Sequence, residues 1–289
     1  MRLPDFVIIG AMKSATSTLH DQLAEQSGIF MSTPKEPCYF SDDPVFARGV
    51  EWYAGLFEAA PAGALCGESS THYTKLPTYP DTALRLARLL PKAKLVYVMR
   101  HPVDRLVSHY IHGWTEGEIR VPIDRALDLH PELIHYGRYA MQLDAYLEHF
   151  DRSAILPVFF ERVRDHGPEE LERVARFVGH AGPVTWSAEQ TRKNVSSDRL
   201  RKSAWRDALV YAPGLSTLRR RLVPQSVRDR IKGLWQMRER PELSAASRAR
   251  LARELDPDLA RLGQQLGVQL SCESFARTVC ERPLSWVDA

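Results

Sequence analysis

Four consecutive apolar residues, Phe6-Val7-Ile8-Ile9, are followed by a small, polar stretch, Gly10 to Ala15, and then by Thr16 to Gln26, where Leu19 and Leu23 stand four apart. An apolar run without polar alternation fits a strand buried on both faces, which is the habit of parallel sheets covered by helices. The spacing after it predicts a helix. Strand, short loop and helix open an α/β unit. The pattern recurs with a helix over Pro80–Leu90, a strand over Ala93–Met99, and a helix over Val103–Gly113 that Pro102 can start. A helix over Tyr139–Phe150, a strand over Ala154–Phe160 and a helix over Glu169–Val178 follow. Strands alternating with helices predict a central, mostly parallel sheet flanked by helices.

From about residue 199 the texture changes. Residues 199–261 hold sixteen Lys and Arg against seven Asp and Glu, with Pro213, Pro224, Pro241 and Pro257 interspersed. Helices are expected over 199–211, 214–222, 225–233 and 244–263. The chain reads as one domain, residues 1–289, with an α/β body to about 198 and a helical, Arg-rich cap over 199–289. The formal charge of the whole chain is only +3, which argues against a nucleic-acid binder of the basic-stripe kind. Cys38, Cys66, Cys272 and Cys280 form no CxxC pair and read as free thiols of a reducing compartment. The apolar run at residues 6–9 is too short for a signal sequence, and no stretch reaches the ~18 residues of a membrane span. A cytoplasmic protein is the expectation.

Two segments carry anion chemistry. Residues 10–18, Gly-Ala-Met-Lys-Ser-Ala-Thr-Ser-Thr, fall between the first strand and its helix, where backbone N–H groups and the helix dipole favour a phosphate. The lysine comes early and no Gly-Lys-Ser/Thr ends the loop, so it is not the nucleoside-triphosphate loop of that pattern. It is a phosphate loop of another type, or a helix start rich in Ser and Thr. Arg100 follows the Ala93–Met99 strand, at the carboxyl end where open α/β sheets bind ligands, and Ser108 lies two turns into the next helix. A guanidinium with a hydroxyl suits one phosphate dianion. Alternatively, Arg100 pairs with a surface carboxylate. His20, His72, His101, His109 and His112 show no metal-ligand spacing, and no metal is expected.

Taken together, the two segments resemble those of sulfotransferases that use 3′-phosphoadenosine 5′-phosphosulfate (PAPS), in the bacterial and heparan-sulfate-type carbohydrate branch. Lys13, Ser14, Ala15, Thr16, Ser17 and Thr18 resemble the 5′-phosphosulfate loop, with Ala15 where the family usually has glycine. Arg100 and Ser108 resemble the pair that holds the 3′-phosphate. Thr33-Pro34-Lys35-Glu36-Pro37-Cys38-Tyr39-Phe40 resembles the segment whose glutamate is the general base, which implies that role for Glu36 and acceptor contact for Lys35; the family often has histidine where Cys38 stands. Gly67-Glu68-Ser69-Ser70-Thr71-His72-Tyr73, after a strand-like stretch, resembles a segment with lysine at the Ser69 position, and Glu68 or His72 would touch the acceptor. Arg192, Lys193 and Asn194 match a basic loop that closes on the nucleotide.

The resemblance implies a three-layer P-loop-like fold and transfer of a sulfuryl group to an acceptor hydroxyl on a carbohydrate, glycolipid or glycosylated metabolite. Lys13 and Glu36 would be catalytic, and adenosine 3′,5′-bisphosphate would be the product. The basic segment would serve as a nucleotide lid, an acceptor platform or a peripheral membrane contact. Two other readings remain at this point, a P-loop kinase or NTPase and a non-catalytic nucleotide-binding scaffold.

Overall fold

The computed structural model describes residues 1–187 and 240–287. Its centre is a five-stranded, all-parallel sheet in the order β2-β3-β1-β4-β5. The strands are β1 (Phe6–Gly10), β2 (Ile29–Met31), β3 (Leu65–Ser69), β4 (Lys94–Met99) and β5 (Ile155–Phe159). Two-residue alternation along buried strands sends side chains into two separate layers. Val7, Ile9, Leu95, Tyr97 and Met99 enter one apolar cluster. Phe6, Ile8, Val96, Val98 and Val158 enter the other. That second cluster is closed by α1 (Thr16–Ala24) and α10 (Gly167–Phe177) through Leu19, Leu23, Leu171 and Val174. In register across from Phe6 stands Gly67, and a Cβ there would lie 2.2 Å from the Phe6 ring, so the strand pair needs glycine.

The expected strands and helices of the body are present. The strand β2 and the short helices α2 (Asp43–Phe46), α3 (Gly49–Gly55), α6 (Ile123–Leu129), α7 (Glu132–His135) and α9 (Phe160–Asp165) lie in segments where no such element was expected. The other body helices are α4 (Thr82–Leu89), α5 (Pro102–Glu116) and α8 (Tyr139–Leu147). The expected helices over 199–211, 214–222 and 225–233 lie outside the described residues. The fourth is found as α11 (Ala245–Gln265), and α12 (Phe275–Glu281) follows.

The described part of the C-terminal segment is built into the body. Leu259, Leu262, Phe275 and Leu284 share the apolar cluster of β1 and β4. α11 runs unbroken through Pro257, although proline removes one helical hydrogen bond and costs about 3 kcal/mol. Contacts made on either side of it hold the helix. Asp256 accepts the Cys272 N–H at 2.7 Å, and the Asp258 carboxylate accepts the Ala140 and Met141 N–H groups at the start of α8, both at 2.9 Å. No helix among the described residues is long and apolar enough to cross a membrane.

Candidate active site

Chain order reverses around β1, with β3 on one side and β4 on the other. Such a switch point leaves a crevice at the carboxyl ends of the strands. Here it is a cavity of about 670 Å³, within the range of small-ligand sites.

The loop after β1 forms one wall. Lys13 and Ala15 adopt left-handed backbone, with φ of 68° and 65°. Ala15 is the residue before α1, and no side chain caps the helix start, so its first N–H groups are left for a ligand. The usual glycine at this position has a physical reason, since only glycine takes that conformation without strain. Lys13, Ala15, Thr16, Ser17 and Thr18 line the cavity. Ser14 does not: its side chain is fully buried, and its hydroxyl has no partner among the described residues. The Ser14 side chain is therefore not among the groups that face the cavity. Gly10 makes the turn possible, because a Cβ there would stand 1.9 Å from Thr74 Oγ1.

Across the cavity stand Arg100, just past β4, and Ser108 on α5. Arg100 Nη1 donates to the Lys13 carbonyl at 3.1 Å, and the guanidinium lies over the Phe160 ring at 4.3 Å. It forms no ion pair with a carboxylate among the described residues, so the surface pair is not found there. Burial holds its pKa below the ordinary value. Burial and then the Arg100 charge likewise depress Lys13. Glu36 pulls the other way on Lys13, and Asp104 and Glu161 on Arg100, but none of them forms an ion pair with either, and a partly desolvated cation left in that state is relieved by a bound anion.

The third wall comes from the β3 side. Glu36, with φ 58°, is tied to the end of β3 by its N–H, which donates to the Ser69 carbonyl at 2.9 Å. Thr71 Oγ1 donates to Glu36 Oε2 at 2.9 Å, and Lys35 Nζ lies 3.3 Å from Oε1. Lys35 also donates to Ser17, so it links the base candidate to the phosphate loop. His72 lines the cavity, with Nδ1 3.1 Å from Asp42 and its ring stacked on Tyr79. Burial, then Lys75, lowers its pKa against the pull of Asp42.

Glu68 is a correction. It lies inside β3 and is fully buried, accepting from Tyr53 at 2.6 Å, Tyr73 at 2.9 Å and Ser70 at 2.9 Å. Burial pushes its pKa up to about 7. It cannot reach an acceptor and instead braces the wall behind the cavity. Arg192, Lys193 and Asn194 lie outside the described residues.

The sequence reading omitted Lys75, which lines the cavity after the short 3₁₀ turn Thr71–Thr74. Its pKa is lowered by burial, and it has no ion-pair partner among the described residues. Lys75 stands six residues past β3, beyond that turn, so the strand-end rule that singled out Arg100 does not reach it. Phe160, Val163 and Trp186 add an apolar wall; nothing in the local sequence around Trp186 announces it.

Comparison with known proteins gives a consistent picture. The family model described as "Sulfotransferase domain" matches residues 3–209. The chain is 35% identical over 138 residues to the membrane-associated sulfotransferase kil1 of Dictyostelium discoideum, covering 46% of this chain and 28% of that protein. It is 30% identical over 193 residues to heparan sulfate glucosamine 3-O-sulfotransferase 6 of Mus musculus, covering 64% of this chain and 54% of that protein. The chain thus spans between about a quarter and a half of these relatives. A sulfotransferase structure from Alicyclobacillus acidocaldarius shares the fold at a TM-score of 0.67 and 22% identity, covering 96% of this chain and all of that one.

Proposed function

The chain belongs to the sulfotransferase domain family, and from that premise we propose that it transfers the sulfuryl group of PAPS to an acceptor hydroxyl on a carbohydrate or glycosylated compound. One observation carries the reading: Lys13, Lys75 and Arg100, all without ion-pair partners among the described residues, surround one cavity together with the carboxylate Glu36. That is the charge pattern for a ligand with two anionic groups and an acceptor that must lose a proton.

In this reading Arg100 and Ser108 hold the 3′-phosphate, and the α1 start with Thr16, Ser17 and Thr18 holds the 5′-phosphosulfate. Trp186, Val163 and Phe160 give the purine an apolar surface. The bond between sulfur and the bridging phosphate oxygen breaks as sulfur bonds to the acceptor oxygen, and Glu36 takes the acceptor proton. Lys13 and the loop N–H groups offset the charge growing on the leaving oxygen. As in phosphoryl transfer, positioning and charge stabilisation supply most of the acceleration. Lys35 and His72 orient the acceptor. The relatives' names support a sugar acceptor.

The test combines two measurements. Adenosine 3′,5′-bisphosphate should raise the melting temperature strongly and ATP with magnesium should not, as expected for selective binding to the folded state. Label from PAPS should then appear on a glycan acceptor in a mass-spectrometric screen. A shift with ATP alone, or bisphosphate binding without transfer to any acceptor, refutes the assignment.

A further inference from the structure

We propose that Cys38, Asp42 and His72 form a binding site for one zinc ion beside the cavity. The thiol sulfur, a carboxylate oxygen and an imidazole nitrogen lie within 4.8 Å of one another, the one such grouping among the described residues. Three features of the fold bring them together. The Asp42 N–H donates to the Cys38 carbonyl at 3.1 Å, and this turn sets residues four apart on one side. Cys38 takes left-handed backbone, φ 54°, and its N–H donates to Ser70 Oγ at 3.1 Å, which ties its main chain to the end of β3. His72 comes from the turn after β3, held against Asp42 and stacked on Tyr79 with ring centres 4.9 Å apart.

A tetrahedral zinc with bonds of about 2.0–2.3 Å spaces its ligand atoms roughly 3.5 Å apart, so side-chain rotation of about 1 Å completes the set. One sulfur, one nitrogen and one oxygen suit a borderline-soft ion better than magnesium or calcium. On binding, the thiol proton passes to solvent and sulfur bonds to the ion. Three protein ligands leave a fourth position for water or another oxygen ligand. His72 also lines the cavity, so that position lies beside it. The spacing of four and thirty residues matches no sequence signature, which is why the sequence reading expected no metal. The inference is independent of the sulfuryl-transfer reading.

The experiment uses the untagged full-length chain. Zinc is measured by equilibrium dialysis against a competing chelator, and cobalt is added as a spectroscopic probe. The expected result is one ion per chain and a near-ultraviolet thiolate-to-cobalt charge-transfer band. Cys38→Ser should abolish the band, and Cys38→Ser and Asp42→Asn should each weaken zinc by at least about tenfold. Cys272→Ser should leave both unchanged. Cobalt bound without the band, or unchanged zinc affinity in Cys38→Ser, overturns the proposal. If Cys38→Ser does not fold, Asp42→Asn carries the test, and unchanged affinity there overturns it equally.

Discussion

Arg100→Ala separates the two anionic ends of the bound nucleotide. In the structure one edge of the guanidinium is committed to the Lys13 carbonyl and one face to Phe160, and Nε is buried, leaving the remaining Nη N–H groups for a ligand. Hydrogen bonds from a charged donor contribute about 1.5–3 kcal/mol each, and the side chain is only partly buried. A loss of about 2–3 kcal/mol follows, or roughly 30- to 150-fold in Kd. Calorimetry with adenosine 3′,5′-bisphosphate should show that loss. Adenosine 5′-monophosphate, which lacks the 3′-phosphate, should lose less than about threefold, a field effect of the kind salt screens. An equal loss for both nucleotides refutes a specific 3′-phosphate contact, and no loss for either removes Arg100 from the site. The free protein supplies a second reading. Arg100 is held near Lys13 at a desolvation cost, so without nucleotide the alanine variant should melt higher than the parent. A lower melting temperature would mean that the packing on Phe160 outweighs the repulsion.

Glu36→Gln should reduce kcat at least ~100-fold with little change in bisphosphate affinity; parallel loss of both would mark a structural rather than a proton-accepting role. Lys13→Ala should reduce turnover by at least ~100-fold, measured at saturating PAPS, and near-normal turnover would remove its assignment to the leaving oxygen. Ala15→Gly should stabilise the chain by about 0.5–1 kcal/mol, since relief of left-handed strain exceeds the added entropy of the unfolded chain; denaturant melts showing a loss would contradict the φ of 65°. For Glu68, a folded pKa of about 7 against an ordinary 4.5 means that the folded state keeps a proton the unfolded chain releases. Stability relative to Glu68→Gln should therefore be greatest below about pH 4.5 and fall by about 3 kcal/mol as the pH rises to 7. Parallel pH profiles for parent and variant would show that Glu68 is not protonated in the fold.

Much of the body was legible in the residues because its strands are buried on both faces. Phe6 to Ile9 and Leu95 to Met99 need no partner to declare themselves, since uninterrupted apolar runs of that length have few other uses. That the loop after β1 and Arg100 would line one cavity was legible for a related reason: strand ends are where α/β sheets bind ligands. β2 was not, because three residues are too few for a period to show. Glu68 misled for another reason. Resemblance to a family segment implied that it touches the acceptor, yet Tyr53 and Tyr73, from a distant helix and a following turn, supply the hydroxyls that let it be buried.

Sequence alone determined the layered α/β arrangement and the place of the loop after β1, because each is encoded within a few neighbouring residues; Glu36 was singled out by resemblance to a family segment. Tertiary structure decided which of those groups meet. It brought Lys75 to the cavity, turned Ser14 inward, carried α11 through Pro257 and set Cys38 and Asp42 beside His72. The physical reason is the same in every case: these outcomes depend on contacts between residues far apart in the chain, and the hydrogen bonds and burial that fix them exist only after the sheet has assembled.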